Sequence, residues 1–199
     1  MGSDSGAGTG TSAARSGEAR SGEARSGEAG ANGANTASAE DLAGRCHELL
    51  RRQHATAATA ESLTGGLLGA AFTHQAGSSA TYRGGVVSYA VDLKTTLLGV
   101  DADRLAEHGP VHPSTARAMA EGVRDRLGAT YGLSTTGVAG PEPHGDQPVG
   151  TVDVACAGPG GTRGERLRLR GDREQIRRST VTAALELLLD VLRATPRTS

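Results

Sequence analysis

The folded part of this sequence reads as an α/β protein of three layers. Helices should cover both faces of a mixed, mostly parallel sheet that closes with a C-terminal antiparallel hairpin. Three observations predict this. Helical and strand patterns follow one another in the order α-β-α-β-α-α-β-β-β-α, which calls for a sheet between two helical layers. Two predicted strands break into glycine-containing turns, at residues 62–66 and 137–141, as strands do where an α/β sheet presents its ligand edge. Only Gly158-Pro159-Gly160-Gly161 joins the last two strands, too short for a parallel crossover, which needs a dozen residues or more.

The chain opens on a segment that does not belong to this fold. Residues 1–39 contain no Val, Ile, Leu, Phe, Tyr or Trp, so nothing offsets the entropy of ordering them. Ala-Arg-Ser-Gly-Glu occurs three times in succession from Ala14 to Glu28, a period that fits no solenoid. A disordered low-complexity tail is expected over 1–39 and a single domain over 40–195. The tail lacks the apolar region of a secretory leader, and its Arg residues alternate with Glu, unlike a transit peptide. No apolar run approaches the roughly 20 residues that span a bilayer. A cytoplasmic protein without a membrane partner is the expectation.

The first helix should start at Ser38, which forms a capping-box pattern with Asp41, and run to Arg52. Residues 55–60 follow as a buried strand of small residues. A helix carrying Leu67, Leu68, Ala71 and Phe72 at three-four spacing comes next and closes at Gly77. Residues 84–90 read as a strand, and a short helix over 92–98 carries Lys94. Pro113 opens an amphipathic helix with Ala116, Ala120, Val123 and Leu127 on one stripe, stopped by Gly128. Strands are expected at 133–138, 151–157 and 163–170. The last helix opens at Asp172, with Gln175 three residues on, and its apolar face runs through Ile176, Thr180, Ala183, Leu187 and Val191. That long face makes a homodimer an expectation.

Composition narrows function. Removing the tail's three Arg and four acidic residues from the chain's 21 basic and 22 acidic leaves 18 of each sign. A neutral domain with one Phe, three Tyr and no Trp has neither the basic footprint nor the stacking platform of a nucleic-acid binder. Cys46 and Cys156 make no disulfide framework and no metal spacing. Cys46 shares a helical face with Leu42, Leu49 and Leu50, and Cys156 shares strand parity with Val152 and Val154, so both read as buried and inert. His108 and His112 are four apart, but Gly109-Pro110 between them prevents the helical presentation of a zinc pair.

Three places carry chemistry. Ser62 lies between a predicted strand and a glycine-opened helix, where free N–H groups of the first turn can stabilise an oxyanion. It is either a nucleophile or simply the helix cap, a common job for serine there. Lys94, the only lysine in the chain, sits among apolar residues. It is either a solvated surface cation or a base, and the second needs its pKa to fall from ~10.4 to roughly 7–8. The third place is residues 134–141, whose hydroxyls and glycines can hold a phosphate, a ribose or a carboxamide, or form an ordinary turn. Arg173, Arg177 and Arg178 can pair with a phosphate or remain solvated.

These stretches resemble the CinA C-terminal domain family. The resemblance rests on Ala60-Glu61-Ser62-Leu63-Thr64-Gly65-Gly66 and on Gly84-Gly85-Val86-Val87-Ser88-Tyr89, followed by Lys94 and Leu97-Leu98-Gly99-Val100. Thr136-Gly137-Val138-Ala139-Gly140-Pro141, Pro148-Val149-Gly150-Thr151-Val152 and Gly171-Asp172-Arg173 continue it, in order, across about 40–193. The family includes amidases that convert nicotinamide mononucleotide to nicotinic acid mononucleotide and ammonia. By resemblance Ser62 is the nucleophile and Lys94 its base, a pair that calls for neither metal nor cofactor. Tyr89 and Thr136 complete the catalytic set. Thr64, Gly65 and Gly66 are implied as main-chain donors, with Glu61, Gly137 and Gly140 beside the substrate and Arg173 on its phosphate. The implied partner is thus a small-molecule nucleotide.

The sequence also departs from the family pattern. Leu63 replaces a usual Cys, Ala90-Val91-Asp92 stands where many members have Ser-Asn-Glu, His112 takes the place of a frequent serine, and Glu142-Pro143-His144 alters the loop after Pro141. These changes bear on substrate more than on chemistry and leave open an amidase for another carboxamide. A catalytically idle binding or regulatory module, linked to competence or DNA damage, is the alternative of a different class.

Overall fold

A computed structural model of the chain describes Met1 and residues 37–195. The expected disordered tail falls on residues 2–36 for nearly all its length and so lies outside the described residues. The domain is a five-stranded mixed sheet between two helical layers. Its elements are α1 (Ala39–Arg52), β1 (Ala57–Glu61), α2 (Leu67–Thr73), a single 3-10 turn at Ser78–Ala80, β2 (Tyr82–Val87), α3 (Val91–Leu98), α4 (Ala102–His108), α5 (Pro113–Arg126), β3 (Tyr131–Gly137), β4 (Thr151–Gly158), β5 (Gly161–Arg168) and α6 (Arg173–Ala194).

Spatial order in the sheet is β2-β1-β3-β4-β5. β1 pairs parallel with β2 and β3, while β4 pairs antiparallel with β3 and β5. Four strands therefore point one way and β4 alone runs against them, which is the mostly parallel sheet with a terminal hairpin that the pattern predicts. β1 and β4 are buried at every residue, so neither shows alternation in sequence. The edge strands β2 and β5 interleave half-buried with exposed positions and have no fully buried residue. β5 presents Arg163, Glu165, Arg166 and Arg168, charges that discourage pairing with another edge.

One face of the sheet packs on α1, α2 and α6, where Leu42, Leu50, Phe72, Leu133, Val154, Ile176 and Leu188 form the main core. The other face packs on α3, α4 and α5 through Leu98, Leu105, Met119 and Val123. α5 lies close over β4 because the contact is made of alanines: Ala116 and Ala120 against Ala155 and Ala157. The apolar face of α6 packs within the chain against α1 and β4. Among the described residues no helix is long and apolar enough to cross a membrane.

Two glycines set how closely α5 can approach its neighbours. A Cβ on Gly132 of β3 would stand 2.1 Å from the Ala120 carbonyl oxygen, and one on Gly122 of α5 would stand 1.9 Å from that of Leu98. Gly122→Ala should therefore push α3 from α5 and lower stability by about 1–3 kcal/mol, despite the higher helix propensity of alanine. Thermal unfolding of the variant checks this, and an unchanged or raised melting temperature would refute it.

The helix signals read from sequence hold at both ends of the domain. Ser38 and Asp41 form a reciprocal capping box on α1, and Asp172 and Gln175 form another on α6. Elsewhere the structure corrects the reading. β2 ends at Val87, not Ala90, because the chain turns after Ser88 to place Ala90 at the N-cap of α3. α4 was not expected. It is seven residues long with only Leu105 buried, too short for a periodic stripe, and Asp101 caps it. Cys46 and Cys156 are both fully buried, and desolvation pushes each thiol up to about 12, so neither is reactive near neutral pH.

Candidate active site

Three parallel strands deliver their C-terminal ends to one edge of the sheet, where ligands of α/β proteins bind. Ser62 follows β1, Ser88 follows β2, and Thr136 and Gly137 end β3. Strand-like bonds continue past the formal ends. The Ser62 N–H donates to the Thr135 carbonyl at 3.0 Å, and the Ser88 N–H to that of Glu61 at 2.8 Å. These bonds hold the two serines side by side in the backbone.

Lys94 reaches this edge from α3. Its Nζ donates to Ser62 Oγ at 3.2 Å and to the Ser88 carbonyl at 2.7 Å. On α3 the lysine is buried and two apolar residues are not: Lys94 is 1% exposed, while Leu97 is 43% exposed and Val91 44%. Of the apolar residues near Lys94 in sequence, Val87, Tyr89 and Leu97 are exposed and do not cover it, while Leu98 is buried. Burial beneath Ser62 and Ser88 desolvates it. No carboxylate pairs with the ammonium among the described residues, so desolvation acts unopposed and pushes its pKa down to about 8. A solvated surface lysine is excluded.

Ser62 is likewise not the helix cap. α2 begins five residues later, at Leu67, and its N-cap, Gly66, makes no side-chain cap bond. Glu61 does the capping instead. One carboxylate oxygen accepts from the Gly66 and Leu68 N–H groups at 2.9 and 3.1 Å, the other from Gly69 at 2.8 Å. This corrects two expectations. Glu61 is buried behind the turn and does not line the cleft. The first-turn donors of α2 are already occupied, and the Gly65 N–H closes on the Ser62 carbonyl at 3.1 Å. The physical reason is that a buried carboxylate at a helix N-terminus is itself the anion that the terminus attracts. The Leu63 and Thr64 N–H groups are left without an acceptor among the described residues, and of these two residues only Leu63 lines the cleft.

The cleft itself has a volume of about 230 Å³ and brings together Ser62, Tyr89, Lys94, Thr136, Gly137, Gly140 and Arg173. Glu61, Thr64, Gly65 and Gly66 do not line it. Tyr89 is 59% exposed, and its hydroxyl accepts from Arg173 Nη2 at 2.9 Å. Arg173 Nη1 also donates to the Gly140 carbonyl at 2.6 Å, so the guanidinium is tied across the mouth of the cleft. The Thr136 hydroxyl donates to the Pro110 carbonyl at 2.7 Å and holds a wall of the cleft in place. The neighbouring Val111 carbonyl is held by Arg166, which is itself gripped at 2.8 Å by both oxygens of the buried Asp153. Of the other two arginines, Arg177 turns to the 62–66 turn and Arg178 pairs with Glu174 on the surface.

Sequence reasoning missed Pro110 and Val111 in the lining, whereas Glu142, Pro143 and His144, read as a departure that bears on substrate, do line the cleft. Pro110 and Val111 carry no local signal, because only the Thr136 and Arg166 side chains bring that loop over the strand ends. His112, a departure from the family pattern, caps α5 through Nδ1 and stacks on His108, with ring centroids 4.5 Å apart. No group of three metal-ligating side chains occurs among the described residues.

Comparison with known proteins bears on the whole described domain. A family model for the CinA C-terminal domain matches residues 39–192. A CinA-like protein of Frankia casuarinae is 52% identical over 157 residues, 79% of this chain and 36% of that protein. One from Gloeobacter violaceus is 50% identical over 155 residues, again 36% of its length, so the chain spans about a third of these curated relatives. Among solved structures, the competence/damage inducible protein CihA of Agrobacterium tumefaciens is 37% identical with a TM-score of 0.74, covering 78% of this chain and 95% of that one. The competence damage-inducible protein A of Klebsiella pneumoniae is 32% identical with a TM-score of 0.78, covering 80% and 100%.

Proposed function

The chain belongs to the CinA C-terminal domain family, and from that premise we propose that it is an amidase that hydrolyses the carboxamide of nicotinamide mononucleotide to the acid and ammonia. The observation that carries the reading is the 3.2 Å contact between Ser62 Oγ and the buried Nζ of Lys94. A lysine kept from water with no countercharge is costly for a purely structural role and useful for a base.

In the proposed reaction neutral Lys94 accepts the Ser62 proton as Oγ attacks the carboxamide carbon. The oxyanion falls to main-chain N–H groups beside Ser62, with that of Leu63 at the cleft. Each such donor is worth on the order of 2.7–4 kcal/mol in comparable sites. Lys94 returns the proton to the departing ammonia, and water then resolves the acyl-enzyme by the reverse use of the same pair. Arg173, tied by Tyr89 and Gly140, supplies the fixed cation for the nucleotide phosphate. Tyr89 and Thr136 thereby act through other groups, Arg173 and Pro110, rather than on the reacting atoms.

Purified protein given nicotinamide mononucleotide should release equal amounts of ammonia and nicotinic acid mononucleotide. Its kcat/KM should rise with pH to a midpoint near 8, because Lys94 is protonated and idle below that value. At pH 7 only about a tenth of it is neutral. Absence of ammonia would overturn the substrate, and a profile flat from pH 6.5 to 9 would overturn Lys94 as the base. A second reading, an amidase for a different carboxamide, is favoured by Glu142, His144 and Val91 in the cleft lining. Competing carboxamides in the same assay separate the two.

A further inference from the structure

We infer that Arg177 is a positioning residue that holds the Ser62 turn in its reactive geometry, an inference that rests on the proposed Ser62 chemistry. Its guanidinium donates from Nε to the Leu63 carbonyl and from Nη2 to the Thr64 carbonyl, each at 3.0 Å. The third edge is fixed by Glu174, which accepts from Nη1 at 2.9 Å. A planar fork on two successive carbonyls sets the orientation of both peptide planes, which a point-charge ammonium cannot do.

Each plane carries the following residue's N–H with it. The bond to the Leu63 carbonyl orients the Thr64 N–H. The bond to the Thr64 carbonyl orients the Gly65 N–H, which closes on the Ser62 carbonyl at 3.1 Å. That carbonyl shares its plane with the N–H of Leu63, a residue of the cleft lining, so the guanidinium reaches the proposed oxyanion donor through two linked peptides. Donation to a carbonyl also polarises the plane and strengthens its N–H as a donor. The turn needs such a hold. Gly65 and Gly66 have φ of 58° and 100°, a left-handed stretch with little side chain to pack. Its other anchors are the Ser62 N–H on Thr135, the Thr64 and Thr135 hydroxyls, 2.8 Å apart, the Glu61 carboxylate on the Gly66 N–H and the Leu67 N–H on the Thr64 carbonyl. Arg173 and Arg177 stand one helical turn apart on α6, so the same helix end ties the mouth of the cleft and braces its floor.

The test compares wild type with Arg177→Ala and Arg177→Lys in the full chain. Two readouts are used: ammonia release from nicotinamide mononucleotide, and the rate at which a fluorophosphonate labels Ser62. A displaced donor of this kind costs about 10²-fold in rate, so Arg177→Ala should lose about that in kcat with KM within about threefold. Labelling should slow in parallel, and the rising pH limb should keep its midpoint. Arg177→Lys should recover part of both rates, and it serves alone if the alanine variant does not fold. An unchanged kcat and labelling rate, or a rise in KM alone, would overturn the inference, the latter making Arg177 a ligand contact. Wild type that is labelled at Ser62 yet releases no ammonia would overturn the substrate and leave the labelling comparison to decide Arg177. Wild type unreactive in both assays would overturn Ser62 as the nucleophile and the inference with it.

Discussion

Ser62→Ala is expected to abolish ammonia release, by at least about 10⁴-fold, since removing the nucleophile of an acyl-transfer pair costs nearly the whole of the pair's contribution. Stability should hardly change. The Ser62 hydroxyl is bonded to Lys94 alone, it caps no helix, and the main-chain bonds to Thr135 and Gly65 remain. Loss of a helix cap would cost about 1 kcal/mol. The melting temperature therefore separates a reacting serine from a capping one. Calorimetry with nicotinic acid mononucleotide should show binding near the wild-type value. Equal activity in the alanine variant would end the nucleophile assignment.

Lys94→Met should be equally inactive and, at pH 7, more stable than wild type. Burial holds the Lys94 pKa near 8, below its ordinary 10.5. Between those values the unfolded chain binds more protons than the folded one, so wild-type stability rises with pH across that window. Below pH 8 the full cost of the buried cation is present. Methionine fills a similar volume without the charge, and the net gain is on the order of 1–3 kcal/mol after about 1 kcal/mol is returned for the lost bond to the Ser88 carbonyl. The gap between variant and wild type should close as pH climbs from 8 to 10.5. Chemical denaturation at pH 7 and pH 10 measures it. A variant less stable than wild type at pH 7 would mean that Lys94 is held for structure and not for chemistry.

Much of the architecture was legible because it is local. The capping boxes at Ser38 and Asp172, Pro113 at the head of α5 and the glycine turn between β4 and β5 each act within a few residues. α4 escaped because a single buried leucine has no period. In the site, Ser62 and Lys94 could be singled out, but their alternatives stayed open for a physical reason. Whether a serine caps a helix depends on where that helix begins, and Glu61 moved that point by taking the N–H groups for itself. Whether a lysine is solvated depends on what covers it, and neither Ser62 nor the Ser88 carbonyl is near it in sequence.

The arginines show the same division. Charge and position did not separate the three at the start of α6, and only resemblance set Arg173 apart; in the structure Arg173 ties the mouth of the cleft, Arg177 grips the Ser62 turn and Arg178 stays with Glu174 on the surface. By itself the sequence determined the layered α/β class, the hairpin and the family, and singled out Ser62 and Lys94 as candidates. Those properties follow from periodicity, turn chemistry and motif order, all written along one stretch of chain. Only the tertiary structure decided which donors are free, which cation is desolvated and which arginine faces the cleft. Each of those depends on groups from different elements competing for the same few hydrogen bonds, and that competition exists only once the strands have brought them together.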